Sequence, residues 1–528
     1  MEWEEFFLDI LKKNIHMSRE KCKSNLQVTL EDDFNVPDSK PDIDKIITED
    51  GTIEILEKNV VNGKCMMKGV LRFQLLYVSG EEGQLVHTIQ GKISIDEMIN
   101  MEGITPEDEI KINWNIEDLS ISLINSRKIS VKSVVYLSCK ALEICEEEVA
   151  VGVDNAEGTQ CKYENMPLTR LVVDKKDIFR IKENFHLPTG KPNIYEVLYH
   201  NLYLQGVEMR AQDEQIGIRG ELVLFVLYRT QEDNQRVQYF QAEQPFHTSI
   251  SCSGIKEDMV LQIEQEVITR EIQIKPDEDG EEREIETEYA CNLGIKVYQD
   301  EEVKYLADLY SIDKDLQIEE KEQHFQHLLT KNNFQKRITE QISQSKDAKE
   351  ILQICHSQGW VQVEEQEWRD NGIFIEGTVE IKILYISPDD RMPMGEIKAS
   401  IPFSHTVEWK NPVQNVSFQV LPQLEQLHTM LLGKDGIEVK INLNLETFLF
   451  ENISKNMIHN INWREISVEN MEEIPSMVGY LVKPGEQLWE IAKRFHTTVE
   501  EIMEMNHLEE EAVKKGDKIL LMKKVQAI

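Results

Sequence analysis

One nine-residue pattern occurs three times and commits most of the chain to β-structure. It reads GVLRFQLLY at 69–77, GELVLFVLY at 220–228 and GTVEIKILY at 377–385. Counted from the glycine, every second residue is apolar or aromatic: Leu71, Phe73, Leu75 and Tyr77, then Leu222, Leu224, Val226 and Tyr228, then Val379, Ile381, Ile383 and Tyr385. A period of two places these residues on one face of a strand, against a core. The third copy interposes Glu380 and Lys382, so its other face is expected in water. The second copy is apolar on both faces and predicts a more buried strand. Eighteen residues beyond each tyrosine stand Ile95, Phe246 and Phe403. Further strands are expected at 53–62, 201–209 and 358–367, and at 129–142, 285–299 and 437–450. Short helices are expected at 41–47, 192–198 and 347–352, the first two opened by a proline.

The copies are offset by 151 and 157 residues, large enough for each to hold its own core. The 528 residues are therefore read as three separate β-rich domains in a row, at 30–165, 166–325 and 326–467. A linker at 468–477, with Pro475 and Ser476, leads to a small domain at 478–524 and leaves it free to move. At 1–29, Trp3, Phe6, Phe7, Ile10 and Leu11 have helical spacing. They predict an amphipathic helix that docks on the first domain or a sister chain, or else recruits another protein. The acidic stretch 275–288 reads as a solvated hairpin loop.

A net charge of −38 argues against nucleic acid and anionic lipid as partners, because phosphate binding needs clustered Lys and Arg. Such acidity keeps a large surface in solution, or complements a basic partner. Residues 1–17 lack the basic start of a secretion signal. Apolar runs such as 222–228 are strand length, far short of a membrane span. Eight scattered cysteines without a CxxC pair suit reduced thiols in a cytoplasm.

The C-terminal segment changes period. Tyr480 and Val482 alternate as in a short strand, and Pro484-Gly485 ends it. Leu488, Ile491, Ala492 and Phe495 then fall on one helix face. Thr498 and Glu501 have capping-box spacing before a second helix with Val499, Ile502 and Met503 buried. A second strand at 518–522 follows Gly516. Through Tyr480, Val482, Gly485, Leu488, Ile491, Ala492, Asn506, Gly516 and Ile519, this segment resembles a LysM module, the β-α-α-β fold known for holding N-acetylglucosamine polymers. The threefold pattern resembles the SPOCS domain of spore-forming bacteria. Tandem SPOCS-like units followed by one LysM module resemble the SipL family of spore-coat morphogenetic proteins. The expected fold is mainly β and multidomain: three β-rich domains with short helices, then the small β-α-α-β domain.

No catalytic constellation stands out: there is no P-loop, GxSxG or HExxH. His324 and His327 are three apart, but no second cluster completes a metal site, and Cys355-His356 are adjacent side chains that point apart. No cofactor is expected. The resemblance places a ligand groove between Gly485, Glu486, Gln487 and Leu488 on one side and 506–511, beginning with Asn506 and His507, on the other. LysM modules more often have Asp then Thr or Ser where this chain has Glu486 and Gln487, whose longer side chains crowd a sugar ring. Trp489 and Lys493 form an i, i+4 pair: either a core ring beside a solvated lysine, or an exposed anchor with a flanking cation. The family resemblance implies a non-catalytic scaffold in the mother-cell cytoplasm at the forespore surface. It would contact a SpoIVA-like coat ATPase and other coat proteins, and self-association of the β domains would add contacts. The alternative is a peptidoglycan-binding wall or cortex protein.

Overall fold

The structure is a computed structural model that describes residues 6–61, 63–80, 85–154, 158–230, 237–343, 350–369, 372–389, 391–413, 415–433, 436–465 and 477–522. A two-residue strand, β1 (Phe6–Phe7), opens the chain. The first unit holds β2 (Ile10–Asn35), β3 (Ile43–Val61), β4 (Lys64–Ser79), β5 (Val86–Asn100), β6 (Glu109–Asn125) and β7 (Lys128–Val153). The second holds β8 (Thr159–His186), β9 (Glu196–Gln212), β10 (Gln215–Arg229), β11 (Val237–Ser251), β12 (Val260–Pro276) and β13 (Glu282–Ser311). The third holds β14 (Lys314–Ser343), β15 (Gln353–Arg369), β16 (Gly372–Ile386), β17 (Met394–Glu408), β18 (Val416–Leu431) and β19 (Gly436–Glu465). Each unit is a sandwich of two antiparallel sheets. In the first, β3-β4-β5 faces β2-β7-β6, and the other two repeat that order. The last strand of each unit is long, and only its first half is flanked on both sides by the unit's own strands.

The recurrent residues have specific tasks. Gly69, Gly220 and Gly377 pair with Ile95, Phe246 and Phe403 on the neighbouring strand. A Cβ on these glycines would stand 2.8, 3.2 and 2.2 Å from the carbonyl oxygens of Glu54, Gln205 and Gln362, where a bulge pushes the adjacent strand inward. At the other end of the pattern, the Tyr77 hydroxyl donates to the Pro41 carbonyl at 3.0 Å and Tyr228 to Pro192 at 3.1 Å. Burial pushes both phenols up to about 12, so they remain donors. Arg127 and Arg283 clamp the same two turns. Arg127 donates to the carbonyls of Val36, Pro37 and Lys40, and Arg283 to those of Leu187, Pro188 and Lys191.

The units pack against one another. Each has its own core, but two further cores are built by all three. Ile47, Leu76 and Val86 meet Leu198, Tyr199, Phe225 and Leu227 of the second unit and Cys355, Leu384 and Met394 of the third. At the far ends of the long strands, Ile15 and Val149 meet Met166, Leu168 and Val303, together with Phe325 and Met457. Leu76, Leu227 and Leu384 occupy the same place in the repeat, so the units surround a pseudo-threefold axis. Equivalent polar residues also converge there. The Tyr199 hydroxyl donates to Asp50 at 3.1 Å, with the Gln358 amide oxygen a second acceptor within reach at 3.0 Å, and Asn201 donates to Gln358 at 3.1 Å. His356 stacks on Phe225 with centroids 4.1 Å apart. Burial depresses its imidazole to about 4, with Asp50 opposing. Lys382, expected in water, lies only 14% exposed and donates to the Glu49 carbonyl at 2.7 Å. It stands at the repeat position that Phe225 holds in the second unit, and its ammonium crosses to the first. The second copy is buried on both faces as expected, from Leu222 through Tyr228.

Among the described residues, which leave out Asn62 and 347–349, the expected strands all form and the expected helices in the repeats do not. Residues 43–47 are strand, residues 192–195 are an irregular lead-in to β9, and the described part of 347–352 is likewise non-helical. Bulges between Ile43 and Lys45 and between Ile46 and Thr48 shift the strand's phase, which gives apolar residues a helix-like spacing. The N-terminal helix is also corrected. Phe6 and Phe7 pair with Trp463 and Asn462, and Ile10 and Leu11 belong to β2; Trp3 lies outside the described residues. Leu8 enters a small core with Ala150, Leu306, Leu309, Ile458 and Ile461, so the first strand fastens the first unit to the third. The acidic stretch 275–288 is mostly strand, with only a short turn at 277–281 in which Asp277 accepts two backbone N–H groups.

Residues 477–522 form the expected β-α-α-β module: β20 (Met477–Leu481), α1 (Leu488–Phe495), α2 (Val499–Asn506) and β21 (Lys518–Met522). Val482, Leu488, Ile491, Ala492, Val499, Ile502, Ile519 and Leu521 make its core. Thr498 caps α2 by accepting the Glu501 N–H at 3.1 Å, and the Glu501 carboxylate accepts from the Thr497 hydroxyl at 2.9 Å. The expected linker lies outside the described residues except for Met477, which is already in β20.

Candidate functional site: the C-terminal module and its seat

The module does not stand apart from the body. Tyr310, near the end of β13, joins its core. The Tyr310 ring meets Trp489 edge to face with centroids 4.9 Å apart, and its hydroxyl donates to the Thr497 carbonyl at 2.8 Å. Burial raises this phenol's pKa, with Glu500, Glu501 and Asp308 adding to it, so the hydroxyl keeps its proton. Two residues earlier, one carboxylate of Asp308 accepts from the Trp489 indole N–H at 2.7 Å and from the Lys493 ammonium at 2.6 Å. Trp489 is half-buried, and the Asp308 and Lys493 side chains are 30% and 40% exposed. The indole is thus neither a purely internal core ring nor a free anchor. It faces the second unit, and Lys493 is paired rather than solvated. Lys162 adds a longer contact, 3.4 Å, to the Gln487 amide oxygen.

The groove residues divide into those held within the fold and those open to solvent. Glu486 turns inward. Its carboxylate accepts from the Lys483 N–H, the Tyr480 hydroxyl and Arg494, at 2.9–3.1 Å. The Lys483 N–H first, then Tyr480 and Arg494, hold this carboxyl below the usual range. Glu486 therefore staples the loop after β20 in place of lining a groove. Gly485 takes a φ of +83° in that loop, which explains the glycine, and it faces open space. Gln487 is the exposed N-cap of α1, and its N–H donates to Glu490 at 3.4 Å. Leu488 belongs to the core. Asn506 is committed to the backbone: its amide donates to the Ile502 and Leu520 carbonyls, each at 2.8 Å, and its oxygen accepts from the Leu520 N–H at 2.6 Å. His507 is exposed, in the left-handed conformation that ends α2.

Sequence reading singled out Trp489 and Lys493 but missed Asp308 and Tyr310, which lie some 180 residues away. The one available signal is a break in the repeat: the equivalent positions hold Gly152 and Asp154 in the first unit and Asn460 and Asn462 in the third.

The other chemical candidates stay apart. His324 lies on strand β14 beside the Ser454 hydroxyl at 2.9 Å. The Cys355 thiol donates to the Leu384 carbonyl at 3.1 Å while His356 faces Phe225 and Asn201. All eight cysteines are free. Among the described residues no three His, Cys, Asp or Glu side chains are grouped to hold a metal ion, and no helix is long and apolar enough to cross a membrane.

Comparison with known proteins agrees with this anatomy. The family model described as SipL, SPOCS domain, matches three times, at 42–124, 193–275 and 350–432. The LysM domain model matches 480–521. No curated protein and no solved structure was found to match. Each SPOCS match begins beside the turn that leads into the second strand of a unit and ends at the close of the fifth, so the long last strand lies outside it. With three SPOCS domains followed by a C-terminal LysM domain, the chain has the architecture of the SipL family.

Proposed function

We propose that this protein is a non-catalytic scaffold of the spore envelope, whose LysM domain acts as a protein adaptor. In this reading the LysM domain docks on a SpoIVA-like coat ATPase at the forespore surface, and the fused β body offers sites to other coat proteins. The domain order supports a sporulation role. The observation that carries the adaptor reading is the fate of the groove: Glu486 and Asn506, which would face a sugar, have their polar atoms engaged within the module. The face carrying Trp489 and Lys493 meanwhile makes a protein contact. Peptidoglycan binding is the second reading, and the LysM match favours it.

The test is a pair of titrations with the full chain, one against the coat ATPase and one against N-acetylglucosamine oligomers and insoluble peptidoglycan. Binding to the ATPase without binding to sugar is the expected result. Sugar binding without ATPase binding would replace the adaptor with a glycan anchor.

A further inference from the structure

The seat of the LysM domain lies where the threefold repeat keeps its backbone and loses its side chains. Each long strand pair has a bulge near its far end. The bulges lie at 150–152 opposite Leu11 and Lys12, at 306–308, and at 458–460 opposite Glu319 and Glu320. A bulge re-aims the residue beside it. That residue is Gly152, Asp308 or Asn460, and two positions on stands Asp154, Tyr310 or Asn462. Only the second unit combines a carboxylate with an aromatic ring.

The LysM face answers both groups. An indole N–H and an ammonium converge on the two oxygens of one carboxylate, at 2.7 and 2.6 Å. An amide in place of that carboxylate would turn an N–H₂ toward one of the two donors. The Trp489 ring packs on the tyrosine ring, and the Thr497 carbonyl accepts its hydroxyl, which separates Tyr from Phe. Residues two apart point to the same side only in an extended chain. The contact is therefore made with the sequence Asp-x-Tyr in a strand.

We propose that the Trp489–Lys493 face of the LysM domain is a binding site for an extended Asp-x-Tyr segment. Residues 308–310 are its ligand within the chain, and an external protein segment of the same chemistry takes their place. This rests on the adaptor reading above and adds the chemistry of the partner. Eleven residues of sequence separate Glu465 from Met477, a tether that sets an effective concentration on the order of millimolar for the internal ligand. The site is thus closed at rest, and an incoming segment has to displace the internal one.

The probe is a labelled peptide of residues 303–312, titrated into the full wild-type chain and into a full chain carrying Asp308→Lys and Tyr310→Ala. The peptide is expected to bind the opened chain at least about tenfold more tightly than the wild type. Replacing its aspartate by asparagine, or adding Lys493→Glu to the opened chain, is expected to remove that binding. Equal binding to both chains, or binding to neither, overturns the proposal. An unchanged unfolding midpoint of the body shows that the opened chain is folded, and Asp308→Asn alone serves if it is not. ATPase binding without peptide binding would remove the Asp-x-Tyr ligand and leave the adaptor. Peptide binding without ATPase binding would do the reverse.

Discussion

Tyr199 of the second unit donates its hydroxyl to the Asp50 carboxylate of the first at 3.1 Å, next to the axis around which all three units pack. Lys382 of the third unit faces the same carboxylate at 3.4 Å. Replacing Asp50 by alanine takes one of two acceptors from each, since the ammonium keeps only the Glu49 carbonyl and the phenol only Gln358. The expected loss is about 2–4 kcal/mol in denaturant unfolding, against about 1–2 for Tyr199→Phe. The shared cores also require the three units to unfold in one transition. Three separate transitions in wild-type protein would contradict the fused body.

His356 makes the axis sensitive to acid. Its folded value near 4 lies below the ordinary value of about 6.5 because burial disfavours the imidazolium. Between these values the unfolded chain binds the extra proton, so stability rises with pH across that window and is fully present above it. His87, depressed to about 4 by burial and then by Arg229, acts in the same direction. The pH dependence of unfolding should therefore flatten between pH 4 and 6.5 in His356→Gln, by on the order of 3 kcal/mol over the window. Parallel curves for mutant and wild type would refute the assignment.

Much of the fold is legible in the sequence because it depends on local period. The Gly-to-Tyr strands, their partners and the LysM helices repeat every two or every 3.6 residues, and they form as expected. Two features defeat that reading. Bulges at Ile43 and Ile46 break the period and imitate a helix. The other feature is long-range placement: Asp50, Tyr199 and Gln358 look like ordinary polar strand residues until the units close around one axis. The site was half legible for the same reason. Trp489 and Lys493 stand out on their helix, whereas Asp308 and Tyr310 gain meaning only by comparison with Gly152 and Asn460.

Glu486 should hold the LysM loop in place only while ionised. Its carboxyl lies below the ordinary range in the fold, so its contribution is present above the unfolded value and is lost as pH falls through the folded one. Glu486→Gln should lower the amide protection factors at 480–486 at neutral pH and leave those factors, corrected for the intrinsic exchange rate, indifferent to mild acid. Unchanged exchange would mean that the staple does not order the loop.

The first strand should fasten the ring of units. Deleting residues 1–9 removes the pairing of Phe6 and Phe7 with β19 and takes Leu8 out of a core shared by all three units. Exchange at 461–463 should accelerate, and the body should lose about 2–4 kcal/mol, the range for emptying a buried leucine site. No change in either would show that the N-terminal strand is dispensable for closure.

The central claim is that the LysM domain places the scaffold by contacting protein. The most direct measurement is the position of a fluorescently tagged chain in sporulating cells, with and without residues 477–522. The intact chain is expected to encircle the forespore and the deleted chain to spread through the mother cell, with coat proteins left unplaced. Correct encirclement by the deleted chain would contradict the claim.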